Sequence, residues 1–82
     1  MIRLKTQIET DSFIDALEQA LPPVFARHRL TKLSGGLINS RTIANKMSQG
    51  IGPKGIKIGR NVGFSRDGFI SWLKSGHLKT LE

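Results

Sequence analysis

The stretch that decides how this chain is read is GIGPKGIKIGRN, residues 50–61. It holds glycines at 50, 52, 55 and 59, a proline at 53, and a change of period. Ile56-Lys57-Ile58 and, just beyond, Val62-Gly63-Phe64 alternate apolar with non-apolar residues at every second position. Such alternation marks strands. Gly59-Arg60-Asn61 lies between the two runs, and glycine and asparagine both tolerate the positive φ of a tight turn. The segment predicts a β-hairpin that leaves a glycine-rich turn.

The same glycines fit two other patterns. Gly50-x-Gly52-x-x-Gly55 has the spacing of a dinucleotide cradle. That cradle needs a strand before the glycines and a helix opening at the last one, so that a pyrophosphate meets free N–H groups. Here a helical pattern precedes and a strand pattern follows. Pro53 removes a donor, and Asp67 is too close to be the acidic residue about 20 positions on. Gly52-Pro53-Lys54-Gly55 also resembles the GxxG loop of a KH RNA-binding domain, which joins two helices and clamps a nucleic-acid backbone. The β-branched, alternating run after Gly55 opposes the second helix. A mechanical role remains: the glycines supply backbone freedom rather than ligand chemistry.

Working outward, a helix runs from a cap at Asn39 or Ser40 to just before Gly50. Ile43 and Met47 form its inward edge, with Ala44 beside them. Arg41, Thr42, Asn45, Ser48 and Gln49 cluster on the other side at 100° per residue. A shorter helix is expected from Ala26 to Leu33, with Ala26, Leu30 and Leu33 on one face and Gly35-Gly36 ending it. Before it, Asp11 or Ser12 caps a helix carrying Phe13, Ala16, Leu17 and Ala20 at helical spacing, stopped by Pro22-Pro23. Residues 1–10 read as an arm or a short strand. After the hairpin, Ser65 caps a last helix with Asp67 in its first turn, a face of Phe69, Trp72 and Leu73, and Gly76 at its end. The expected core joins Phe13, Leu17, Leu30, Leu33, Ile43, Met47, Ile58, Val62, Phe64, Phe69, Trp72 and Leu73.

The predicted fold is therefore mainly α with a small β-hairpin. Two helices across a glycine turn, followed by a hairpin, describe a winged helix-turn-helix over residues 21–76. Residues 1–20 form an arm and an acidic helix, and residues 77–82 a tail. Leu81-Glu82 reads as what a cloning site leaves and is set aside.

Charge points to a partner. The 82 residues carry a formal net charge of +7. Residues 1–20 set Arg3 and Lys5 against Glu9, Asp11, Asp15 and Glu18, whereas residues 21–82 set eleven basic groups against only Asp67 and Glu82. A basic body of this kind attracts polyanions and releases their counterions on binding. The absence of cysteine removes disulfide scaffolds, thiol catalysis and most zinc sites. No apolar run approaches the roughly 20 residues needed to span a bilayer, and Met1-Ile2-Arg3-Leu4-Lys5 lacks the apolar core of a signal peptide. A cytoplasmic, nucleoid-associated protein is expected.

The exposed face of the third helix carries the chemistry. Arg41 and Asn45 stand four residues apart on one edge. Arginine pairs bidentately with guanine and asparagine with adenine, each worth about 1–3 kcal/mol of discrimination. Thr42, Ser48 and Gln49 reach base edges or phosphates, and Lys46 on the flank suits a phosphate. The hairpin adds Lys57 and Arg60, with Lys54 in the preceding turn, to track phosphates or enter a minor groove. Taken singly, each of these residues is an ordinary surface residue; their convergence is what carries the reading. His28 and His77 have no thiol or acidic cluster beside them, so no metal or other cofactor is expected. No serine belongs to a catalytic motif, and Trp72 reads as core. No enzyme activity and no small-molecule substrate are expected.

The stretch LPPVFARHRLTKLSGGLINSRTIANKMSQGIGPKGIKIGRNVGFSRDGFISWL, residues 21–73, resembles the small AlpA-like and excisionase-like regulators, whose fold is related to MerR-type winged helices. SRTIANKMSQG, GPKGIKIGRNVGF and SRDGFISWL carry the likeness. It implies binding of double-stranded DNA through the second motif helix and the wing, in transcription control or prophage and mobile-element excision. It implies that role for Ser40, Arg41, Thr42, Asn45 and Lys46, and for Lys57, Arg60 and Asn61; Gln49 joins them from the helix face. The likeness has departures. Ala26 stands where such sequences often carry a Ser or Thr cap, and SGGLINS is longer than the usual turn. Residues 1–20 lie outside it and are expected to pack on the domain, pair with a second copy, or meet an integrase or recombinase. Two alternatives stay open: a KH-type RNA-binding module, and a protein-binding adaptor with no nucleic-acid role.

Overall fold

Helix α1 (Lys5–Ala20) is followed by strand β1 (Val24–Ala26) and a single 3-10 turn (Arg27–Arg29) that runs into the short helix α2 (Leu30–Leu33). Helix α3 (Ser40–Ser48), strands β2 (Ile56–Ile58) and β3 (Asn61–Ser65), and helix α4 (Arg66–Lys74) complete the chain. These assignments come from a computed structural model that describes the backbone of residues 5–77 and the side chains of residues 11–77. The expected arm before residue 5 and tail residues 78–82, Leu81-Glu82 included, lie outside the described residues.

The predicted hairpin is present, but as two strands of a three-stranded antiparallel sheet in the order β1-β3-β2. Ile56 pairs with Gly63 and Ile58 with Asn61, so the turn is only Gly59-Arg60. Asn61, expected in the turn, is the first residue of β3. Only Gly59 takes a positive φ there, +61°, the pattern of a two-residue turn with glycine first.

Strand β1 is unexpected: of its residues only Ala26 belongs to the predicted helix, which appears instead as the 3-10 turn and α2. Pro22 and Pro23 hold the preceding residues extended, Val24 and Phe25 favour strands, and the open edge of β3 accepts the backbone. Phe25 lies opposite Phe64 in register. Their rings, with centroids 5.8 Å apart, meet Phe69 of α4 at 5.5 and 5.7 Å. All three are buried, and Ile14, Leu17, Leu21, Leu30, Ile43, Ile70 and Leu73 close around them.

Ser65 starts α4 as expected, its Oγ accepting the Gly68 N–H at 3.1 Å. The next residue ties the N-terminal helix down. The Arg66 N–H donates to the Pro23 carbonyl at 2.8 Å, and its Nη1 donates to the Leu21 carbonyl at 3.2 Å. This sets a cation at the negative end of α1.

Helix α1 begins six residues before the predicted caps and turns a different face inward. Ile14, Leu17 and Leu21 are buried, whereas Phe13 is 44% exposed and Ala16 and Ala20 face solvent. Both stripes have helical spacing. Leu17 belongs to both, so spacing does not choose between them; the choice is made by packing against α4. Ile58, also expected in the core, is 75% exposed, while Ile14, Leu21, Phe25 and Ile70 are core residues that the sequence reading missed.

Ile14→Ala is therefore expected to cost about 2–5 kcal/mol, and Phe13→Ala under about 1 kcal/mol, in urea unfolding of the full chain. The reverse order would restore the predicted face.

Candidate nucleic-acid interface

The α2–α3 unit is fixed by its turn. Gly35 and Gly36 take φ of +67° and +85°, closed to most side chains. The Gly36 N–H reaches back to the Thr31 carbonyl at 2.7 Å. Ser34 Oγ accepts the Ile38 N–H at 3.0 Å, so the long SGGLINS turn is organised internally. Thr31 and Ser40 then lock the two helices together. Thr31 Oγ1 accepts the Ser40 N–H at 2.9 Å and lies 2.9 Å from Ser40 Oγ, which accepts the Thr31 N–H at 3.3 Å. Asn39 caps α3, its Oδ1 accepting the Arg41 N–H at 2.8 Å.

This anchoring fixes which face of α3 is free. Ile43 is buried and Ala44 and Met47 are half-buried; Arg41, Thr42, Asn45, Ser48 and Gln49 are exposed. Ser48 Oγ is engaged with the Asn45 carbonyl at 2.8 Å. Of the residues singled out in the sequence, Ser40 is the one turned inward, half-buried with its hydroxyl on Thr31. Lys46 is half-buried on the flank. It lines a groove of about 570 Å³ between α3 and α4, with Leu37, Thr42, Trp72 and His77 among its walls. Trp72 and His77 stack there, ring centroids 4.0 Å apart.

The glycine-rich stretch connects α3 to the hairpin under close packing. Gly50 takes φ +78°, and the Ile51 N–H returns to the Lys46 carbonyl at 3.0 Å. A Cβ at Gly52 would lie 2.6 Å from the Met47 Cγ and backbone N, and one at Gly55 2.9 Å from Val62 Cγ1. The Ile51 carbonyl accepts the Trp72 indole N–H at 3.1 Å. Gly52 and Gly55 are thus required by close neighbours rather than by the backbone freedom expected of them, which Gly50 alone shows in this turn, and β2 follows where a GxxG clamp needs a helix. From this root the hairpin exposes Lys57, Arg60 and Asn61, with Lys54 exposed in the connection.

A third cationic element, not expected from the sequence, lies before α2. Arg27 of the 3-10 turn reaches α3, its Nη1 3.6 Å from Met47 Sδ. Arg29 and Lys32 beside it are exposed. The run Arg27-His28-Arg29, directly before α2, is the available signal. The electrostatics are one-sided: between Glu18 and Asp67 the chain has nine Lys or Arg and no carboxylate. Summed over so small a body, such a distribution gives a positive field that concentrates anions.

Among the described residues, no group of three His, Cys, Asp or Glu side chains is placed to hold a metal ion, and no helix is long and apolar enough to cross a membrane. No protein-family model matches the chain, nor does any curated protein or solved structure.

The Thr31–Ser40 lock predicts energetic coupling. In a double-mutant cycle of Thr31→Val and Ser40→Ala, urea unfolding should give a coupling of about 0.5–1.5 kcal/mol. A Ser40 hydroxyl free for a ligand would give none.

Proposed function

We propose that this protein is a non-enzymatic, sequence-specific binder of double-stranded DNA, built as a winged helix-turn-helix of the AlpA-like and excisionase-like kind. Helices α2 and α3 form the helix-turn-helix, α3 is the recognition helix, and the β2–β3 hairpin is the wing. The observation that carries the reading is the free face of α3. Arg41, Thr42, Asn45 and Gln49 project from a helix whose opposite side is anchored by Ile43, Met47 and the Thr31–Ser40 lock. Nine residues of α-helix measure about 14 Å, and the major groove they would lie in is about 12 Å wide.

Roles follow from chemistry. Arg41 and Asn45 read base edges, with Thr42 and Gln49 beside them. Lys46 meets a phosphate on the flank. Lys57, Arg60 and Asn61 hold the wing to the backbone or the adjacent minor groove, and Arg29 from the 3-10 turn and Lys32 from the first motif helix, which in this class of fold crosses the phosphates, add backbone contacts. Ser40 acts through α3, by holding its start against Thr31. The protein serves as a transcriptional regulator or an excision factor at the nucleoid. The exposed Phe13 side of the acidic α1 favours a second, separate contact, with an integrase or another copy of the chain.

Binding sites selected from a random duplex library supply the test. On the selected site, Arg41→Ala or Asn45→Ala should relax preference at one position by about 1–3 kcal/mol. Lys57→Ala or Arg60→Ala should weaken binding to all sequences alike and lower the salt slope by about 1. Uniform losses on every sequence for all four variants would remove base readout; no duplex binding at low salt would remove the proposal.

A further inference from the structure

The outer face of the wing is not accounted for by charge. Side chains alternate between the two faces of a strand. Phe64 turns inward, and Val62, on the same face, packs against the core half-buried. Ile56 and Ile58 therefore stand on the opposite face, 69% and 75% exposed. Their cross-strand partners are Gly63 and Asn61, so neither isoleucine has an apolar neighbour across the hairpin to shield it. Strand preference explains a β-branched residue at these positions, but threonine would satisfy it without showing bare hydrocarbon to water.

We infer that Ile58 is a minor-groove wedge: it enters beside Arg60 and partly unstacks one base step. The inference rests on the duplex-binding reading above and names how the wing makes its contact. Position supports it, because Ile58 is the last strand residue before the Gly59-Arg60 turn and so sits at the extremity of the hairpin. Slenderness supports it, because Gly59 beside it and Gly63 diagonally across add no side chain, which leaves the Asn61 side chain as its cross-strand neighbour. Charge complementarity supports it, because Lys54, Lys57 and Arg60 are the only charged groups in residues 50–65 and all are positive. Isoleucine is among the apolar side chains that wedge into minor-groove steps next to cationic anchors. A second copy is a poorer occupant. Antiparallel self-pairing of Ile56–Ile58 along the open edge of β2 would set Lys57 against Lys57, and like charges directly opposed are destabilising. An edge lysine is also a common guard against such pairing.

The consequence is a sequence preference without a hydrogen bond. The step under the wing should be a deformable pyrimidine–purine step, TA or CA/TG, because its unstacking costs least.

The experiment uses the full chain and its selected duplex, with 2-aminopurine replacing one adenine at a time beside the α3 site. Wild type should raise 2-aminopurine fluorescence several-fold at one step. Ile58→Thr, which keeps the β-branch, should lose that rise and the preference for a pyrimidine–purine step there. It should keep the base preference set by Arg41 and Asn45. A tight wild-type complex with no rise at any step overturns the wedge and leaves the duplex-binding reading standing. So does a rise that Ile58→Thr leaves unchanged, or a dimer of the free protein that Ile58→Thr dissolves. Failure of wild type to bind duplex overturns both. The wild-type measurement needs no variant to fold.

Discussion

Everything in this small domain hangs on the contact of three phenylalanines, Phe25, Phe64 and Phe69, one each from β1, β3 and α4. A chain of this size buries only about 60–65% of its unfolded surface, so a few large rings must carry much of the burial. Offset and edge-on ring pairs add about 0.5–1.5 kcal/mol each beyond the area they bury. The cluster also fixes geometry. It pins β1 to β3, and because the 3-10 turn follows β1 without a spacer, it sets where α2 and α3 begin. The hairpin is positioned by the same strand, β3, that carries Phe64.

That arrangement sorts the chemistry of the sequence. Apolar volume comes from both ends of the chain: Ile14, Leu17 and Leu21 on one side and Phe69, Ile70 and Leu73 on the other. The middle, from the 3-10 turn to the hairpin, gives fewer residues to the core and carries most of the positive charge. The cationic middle segment is held to the shared core by Leu30, Ile43 and Phe64. Side chains that meet a ligand from a locked scaffold lose less freedom on binding, which favours selectivity. The hydroxyl pair of Thr31 and Ser40 belongs to the same logic, since it spends two polar side chains on holding the angle between helices.

Signals with a local physical cause were legible in the sequence. Asn39 and Ser65 cap because a short side-chain oxygen meets a free backbone N–H, and Gly35, Gly36, Gly50, Gly59 and Gly76 adopt positive φ. The exposed face of α3 followed from periodicity alone. Signals that depend on a distant partner were not legible. Val24-Phe25-Ala26 is too short to show a period and becomes a strand only because β3 offers an edge. Phe13 and Ile14 both begin acceptable helical stripes, and the choice between them is made by what α4 presents. Ser40 looked like a contact residue because nothing local reveals that Thr31, nine positions earlier, needs its hydroxyl. Ile58 was assigned to the core by alternation, which gives two faces but not which one is covered.

The central claim is that the free face of α3 and the wing form one surface for duplex DNA. The most direct measurement is a backbone amide chemical-shift map recorded while a selected duplex is added to labelled protein. The largest perturbations are expected at Arg41, Thr42, Asn45 and Gln49 and along Lys57 to Asn61, with the Phe13 side of α1 unchanged. Perturbations confined to α1 or to the groove beside Trp72, with α3 and the hairpin silent, would contradict it.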